Sequence, residues 1–142
     1  MFNFLKNKKK NKLNQDEQII KTAALLIHAA KIDENYSKKE KNIIKKTLLK
    51  LFSKVKNIEE ILKKAEEIES NSNQILDFTK EIKNFDKETK KKIIETLWNI
   101  IYSDNLSDMY ETNLMRRLSG LLYLDSKVVG DLKEKTISNL KK

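Results

Sequence analysis

Four carboxylates in this chain are spaced as a pair of pairs. Asp33 and Glu40 lie seven residues apart in DENYSKKE, and Asp104 and Glu111 repeat that spacing in DNLSDMYE, 71 residues further on. Carboxylate oxygens are hard donors, suited to Ca²⁺, Mg²⁺ or Mn²⁺ better than to softer metals. If the two stretches meet in the fold, the four residues form one shared divalent-cation site. The same residues also have a purely structural reading. Ser37-x-x-Glu40 and Asp108-x-x-Glu111 are capping boxes, in which the Glu bonds back to the backbone N–H of the capping Ser37 or Asp108. Asp33 and Asp104 could equally tie down a turn through their own backbone. The two readings are compatible. An EF-hand fails on spacing: with Glu40 as the twelfth ligand, the first and third positions fall on Ala29 and Lys31, and the obligatory glycine on Glu34.

Other chemistry is sparse. There is no cysteine, which excludes disulfides, thiolate metal sites and cysteine nucleophiles. The single histidine, His28, lies within the apolar run IIKTAALLIHAAKI and is expected to be a hydrogen-bonded residue of the core or its boundary. No glycine-rich phosphate loop, Ser/His/Asp arrangement or zinc signature is present, so a non-enzymatic protein is expected. A net charge of +9 raises nucleic acid or an anionic membrane as partners. Only Arg116 and Arg117 are arginines among thirty basic residues, and bidentate recognition prefers arginine. Specific nucleic-acid binding is therefore not expected, which leaves weak non-specific binding as an alternative. Arg116 and Arg117 are expected to pair with the acidic turns or with the acids of the third helix, and anion binding is the other reading.

The elements that must position these residues are helices. With no Pro, two Gly and many Lys, Glu, Leu and Ile, an all-α chain of one domain is expected. Asn14 with Glu17 signals a first helix from about Gln15 to Lys31, apolar on most of its circumference and hence central. Ser37 starts a second, Lys38 to about Phe52, with an amphipathic stripe. Asn57 caps a third, facing inward through Ile58, Ile61, Leu62, Ala65 and Ile68, with Glu59, Glu60, Glu66, Glu67 and Glu69 expected on its outer side. The polar SNSN at 70–73 precedes a fourth. Asp86 opens a fifth from about Lys87 to Ser103, Asp108 a sixth to about Leu122, and Asp125 or Ser126 a seventh. At an offset of 71, Leu26 matches Leu97, Ile27 matches Trp98, Ile44 matches Met115, and Lys45 and Lys46 match Arg116 and Arg117. The expected fold is a compact bundle of about seven helices built from two pseudo-repeats.

Residues 1–13 read as a basic, mobile tail ahead of a helical domain at 14–140. Phe2 and Phe4, with Lys6, Lys8, Lys9 and Lys10, could contact an anionic leaflet, aromatic tip inserted and lysines over the headgroups. No apolar run approaches the roughly 20 residues needed to span a bilayer, and no signal-peptide pattern is present. A cytoplasmic location is expected, with peripheral contact at the inner face of the membrane as a variant.

Three stretches, AALLIHAAKIDENYSKKEKNII, LDFTKEIKNFDKETKKKIIETLW and TLWNIIYSDNLSDMYETNLMRRLSGLL, resemble the TerB-like tellurite-resistance proteins. The resemblance covers about residues 15–138. It extends to the N-terminal domain of a membrane-anchored DnaJ-type co-chaperone. It implies an all-helical domain of two related halves, a role as an interaction module with protein partners, and a link to tellurite and other stresses. It also implies divalent-metal binding by the shared acidic residues, here Asp33, Glu40, Asp104 and Glu111. Where the family has glycine in each turn this chain has Glu34 and Asn105, and Leu106-Ser107 shifts the hydrophobic plug by one position.

Overall fold

A helix with no continuous polar face has to be surrounded. In the computed structural model the first helix is surrounded: α1 (Phe2–Lys31) packs against four of the helices that follow it. The structure describes the backbone of residues 2–31, 36–53, 55–72, 75–102 and 109–140, and the side chains of those segments except 2–15, 109–112 and 140. Ile19, Ala23, Leu26 and Ala30 bury one side of α1, while Ala24, Leu25, Ile27 and Ala29 bury the rest. Alanine at several of these positions lets neighbouring helices approach closely.

Around it stand α2 (Lys38–Leu51), α3 (Ile58–Asn71), α4 (Leu76–Ile82) and α5 (Lys87–Ile101), followed by α6 (Met109–Leu121) and α7 (Ser126–Leu140). All regular structure among the described residues is helical. Three of these starts have a local cause in a side-chain hydrogen bond. The Asn57 side chain accepts from the Glu60 N–H at 3.2 Å ahead of α3. The Asp86 carboxylate accepts from the Thr89 hydroxyl at the start of α5. The Asp125 carboxylate accepts from the Lys127 N–H at 3.1 Å, which makes Asp125 the cap of α7. The start of α1 differs from the sequence expectation: the helix begins at Phe2 instead of Gln15. Residues 2–14 contain neither Pro nor Gly and are rich in Lys, a good helix former, so no strong breaker stands before the Asn14 signal.

The duplication is visible in the packing. α5 stands to the second half as α1 does to the first, and the two meet in the centre. Leu26 and Leu97 are both fully buried, as are Ala23 and Ile94, and Ile27 pairs with Trp98 at 0% and 3% exposure. α3 lies on α1 as α7 lies on α5, and α2 touches α3 as α6 touches α7. α4 has no counterpart in the repeat; it packs on α1 and reaches α6. Trp98 locks the second half by donating its indole N–H to the Val129 carbonyl at 3.1 Å, and Thr47 and Thr96 join α2 to α5 through hydroxyls 3.1 Å apart.

Two features near the end of α6 were not anticipated. Lys90, 8% exposed, directs its ammonium to the Leu122 carbonyl at 2.9 Å and the Lys83 carbonyl at 3.3 Å. A cation there satisfies carbonyls left open where α6 and α4 end. Immediately beyond, the Tyr123 N–H donates to the Gly120 carbonyl at 3.2 Å and the Leu124 N–H to the Ser119 carbonyl at 2.9 Å, the two bonds of a Schellman ending. Tyr123 occupies the left-handed position of that motif, with φ 56°, although it is not glycine. Its side chain is 71% exposed, so little packing offsets the backbone cost. Tyr123→Gly should therefore stabilise the fold by about 1 kcal/mol, a rise of roughly 2–4 °C in a thermal melt. A lower melting temperature would show that the tyrosine ring contributes more than its exposure implies.

Candidate functional site

The first inter-helix corner is built around carboxylates. Ser37 is extended, with φ −91° and ψ 178°, and caps α2 in a capping box with Glu40. The Ser37 N–H donates to Glu40 Oε2 at 3.1 Å, and the Ser37 hydroxyl donates to the same oxygen. Glu40 is only 2% exposed. A carboxylate so far from bulk water is tolerated because it is hydrogen-bonded.

Two further acids pull α3 into this corner. Glu66 accepts from the Tyr36 hydroxyl at 2.7 Å and pairs with the Lys41 ammonium at 3.0 Å, which also lies 5.6 Å from the centre of the Tyr36 ring. Glu69, 8% exposed, accepts from Lys31 Nζ at 2.7 Å, and His28 Nδ1 lies 3.4 Å from its other oxygen. The His28 ring also rests against Phe78, centroids 5.8 Å apart, so it is a boundary residue between α1, α3 and α4. Placing all five acids of α3 on its outer side was thus incorrect for Glu66 and Glu69. Leu62 and Ala65 are buried, and Glu66 and Glu69 fall four and seven residues after Leu62, on the same face. Glu59 does lie outside, 67% exposed, and reaches Lys45 at 2.5 Å.

The remaining sequence candidates fall as follows. Asp33, Asp104, Asp108 and Glu111 lie outside the described residues, as do the side chains of Phe2, Phe4, Lys6, Lys8, Lys9 and Lys10. Among the described residues no three Asp, Glu, His or Cys side chains are grouped to hold a metal ion. Arg116 and Arg117 are exposed and pair with no carboxylate of α3; the acidic turns, the other partners expected for them, lie outside the described residues. α6 packs chiefly on α7 and α4. A cleft of about 560 Å³ is one that sequence reasoning missed. It opens between α1, α3 and α4, with Glu17, Glu67, Asp77 and Glu81 beside Lys21 and Lys80. The mixed charges and the absence of a buried base or nucleophile among them offer no catalytic arrangement.

The family model described as "Tellurite resistance protein TerB" matches residues 19–134. The chain belongs to the TerB family. The match runs from Ile19 in α1 to Glu134 in α7 and takes in both halves of this TerB-family fold, including the Ser37–Glu40 corner. TerB is not a known enzyme family. Neither the curated proteins nor the solved structures contain a match to the chain.

If divalent metal is bound as the family resemblance implies, Glu40 is the one implied donor among the described residues. Its carboxylate oxygens are hard donors of the type such a cation takes.

The Tyr36–Glu66–Lys41 cluster makes a pH-dependent contribution to stability. Burial pushes the Glu66 carboxyl upward, but hydrogen bonds from Tyr36 and Lys41 outweigh it and hold the group below its ordinary 4.5. Burial, and then the hydrogen bond to Glu66, raise the Tyr36 hydroxyl above its ordinary 10.0. A depressed carboxyl stabilises above its unfolded value and loses that contribution as pH falls through its folded value; a raised phenol stabilises below 10.0 and loses it as pH climbs further. Tyr36→Phe should cost about 1 kcal/mol near neutrality. The gap between wild type and variant should narrow below pH 4.5 and above pH 10.0 in urea titrations. A pH-independent gap would mean that the cluster contributes by packing alone.

Proposed function

We propose that this TerB-family chain is a non-enzymatic, stress-linked interaction module of the cytoplasm that docks a protein partner. In this reading its acidic corners carry a divalent cation, with Asp33 and Glu40 as donors in the first half and Asp104 and Glu111 in the second. The observation that carries the reading is Glu40: a carboxylate 2% exposed at the start of α2, seven residues after Asp33 in the sequence. Family membership supports it. When bound, such a cation supplies the positive charge that lets several carboxylates share one corner. The chain's own residues do the rest. Ser37 orients Glu40, and the Tyr36–Glu66 bond ties the corner to α3, giving a partner a rigid surface.

Titration with Ca²⁺, Mg²⁺ and Mn²⁺, followed by thermal melting, tests the cation. A ligand selective for the folded state stabilises by about 2.7 kcal/mol at a hundredfold excess over its Kd. The melting temperature should rise with one of the three metals, and Asp33→Asn combined with Asp104→Asn should abolish the rise. No shift at millimolar metal removes the cation from the reading.

A second reading, peripheral attachment to an anionic membrane, is favoured by the start of α1. The helix runs from Phe2, so Lys6, Lys8, Lys9, Lys10 and Lys12 continue it rather than precede it. Each lysine near an anionic surface contributes about 1 kcal/mol. No described helix is long and apolar enough to cross a membrane, so such attachment is interfacial. Vesicles containing phosphatidylserine should co-sediment with the full chain and not with a chain lacking residues 1–13. Equal sedimentation of both discards this reading.

A further inference from the structure

The two halves fill the equivalent space between their second and third helices differently. In the first half, the space between α2 and α3 is filled by large apolar side chains, with Leu48 and Leu62 at 0% and 1% exposure. The Lys45–Glu59 ion pair bridges the two helices at the surface. The register of the repeat carries through to the last helix, because Ala65 and Thr136, 71 residues apart, are both buried, and Ile61 and Leu132 are both packed at the edge of the core. In that register Ser119 stands for Leu48, Ser126 for Val55 and Lys133 for Leu62. Smaller or polar groups have replaced the apolar filling. Arg116 stands for Lys45, so the cation is kept, but Gly130 stands for Glu59, and its carboxylate is gone.

The result is a cleft of about 220 Å³ between α5, α6 and α7. Met115 and Trp98 line it, Lys133 Nζ lies 5.5 Å from the centre of the Trp98 ring, and Arg116 opens onto it. Ser119 Oγ donates to the Arg116 carbonyl at 2.7 Å and retains lone pairs for accepting. Neither Arg116 nor Lys133 has a carboxylate partner among the described residues. The volume is below the roughly 300–1,000 Å³ of pockets for drug-sized ligands, which suits a small molecule.

We propose that this cleft binds a small carboxylic acid, its carboxylate held between Arg116 and Lys133 beside Trp98, in the role that Glu59 plays for Lys45 in the first half. The guanidinium fork matches a carboxylate, and the aromatic and apolar floor accepts a short carbon chain. The site is separate from the acidic corners and does not depend on a cation there.

Trp98 is the only tryptophan in the chain, so its fluorescence reports directly on the cleft. The full chain is titrated with propionate, which mimics the missing glutamate side chain, and with glutarate and inorganic phosphate, all against NaCl at equal ionic strength. A saturable change with propionate or glutarate is expected, weakened about tenfold or more in Arg116→Ala, as for loss of a charged hydrogen-bonding partner. Gly130→Glu restores the internal carboxylate, and a Cβ at Gly130 meets nothing within 4 Å. That variant should keep its fold and lose the response. Arg116→Ala alters an exposed side chain and supplies the test even if Gly130→Glu misfolds. A response equal to that of NaCl, or one unaffected by Arg116→Ala, overturns the proposal. A response to phosphate but to neither acid overturns the carboxylate assignment.

Discussion

The constraint on which this fold rests is that the C-terminal parts of α1 and α5, Ala23–Ala30 and Ile93–Ile101, are buried on most of their circumference. Each must be covered on several sides at once, and they meet each other on one of them. Truncating a fully buried leucine such as Leu26 or Leu97 to alanine removes contacts on more than one helix interface, a change that ordinarily costs about 2–5 kcal/mol. The other helices are amphipathic and take their places from this central pair. α3 lies along α1, α7 along α5, and α4 occupies a position that the repeat does not provide.

Polar chemistry sits where these outer helices begin and end. The first half concentrates acids at its corner: Glu40 on the Ser37 backbone, Glu66 on Tyr36 and Lys41, and Glu69 on Lys31. The second half uses other means around its central helix. The Trp98 indole is bonded to the Val129 carbonyl, and Lys90 meets the carbonyl ends of α6 and α4. Lys90 is the counterpart of Ile19, and both are buried. A shared backbone plan therefore carries two different electrostatic surroundings, one rich in carboxylates and one rich in cations.

Much of this was legible in the sequence because its causes are local. The Ser37 and Asn57 caps marked the starts of α2 and α3, and the apolar periodicity predicted the α2 span of Lys38 to about Phe52 against an observed Lys38–Leu51. The centrality of α1 followed from its composition. What was missed depends on distant partners or on the absence of a signal. Glu69 reads as a surface acid until Lys31, 38 residues earlier, is known to lie beside it. Lys90 falls four and seven residues before Ile94 and Leu97, on the apolar stripe, but nothing local says that open carbonyls from α6 await its ammonium. Tyr123 adopts a left-handed backbone without the glycine that would have announced it. Of the candidate carboxylates, Glu40 was legible as a capping residue, since the box that holds it spans only four positions.

The contact between α1 and α5 also bears on how such a chain arises. A single half would leave bare the side of its central helix that now meets the other half, and a second copy of the same half is the simplest cover. Two separate polypeptides would find each other only as fast and as often as their concentration allowed. Joined end to end, they experience an effective concentration in the millimolar range, independent of expression level. Once pairing is guaranteed by the covalent link, the halves no longer need matching surfaces, and each is free to diverge at its outer corner while the central pair is retained.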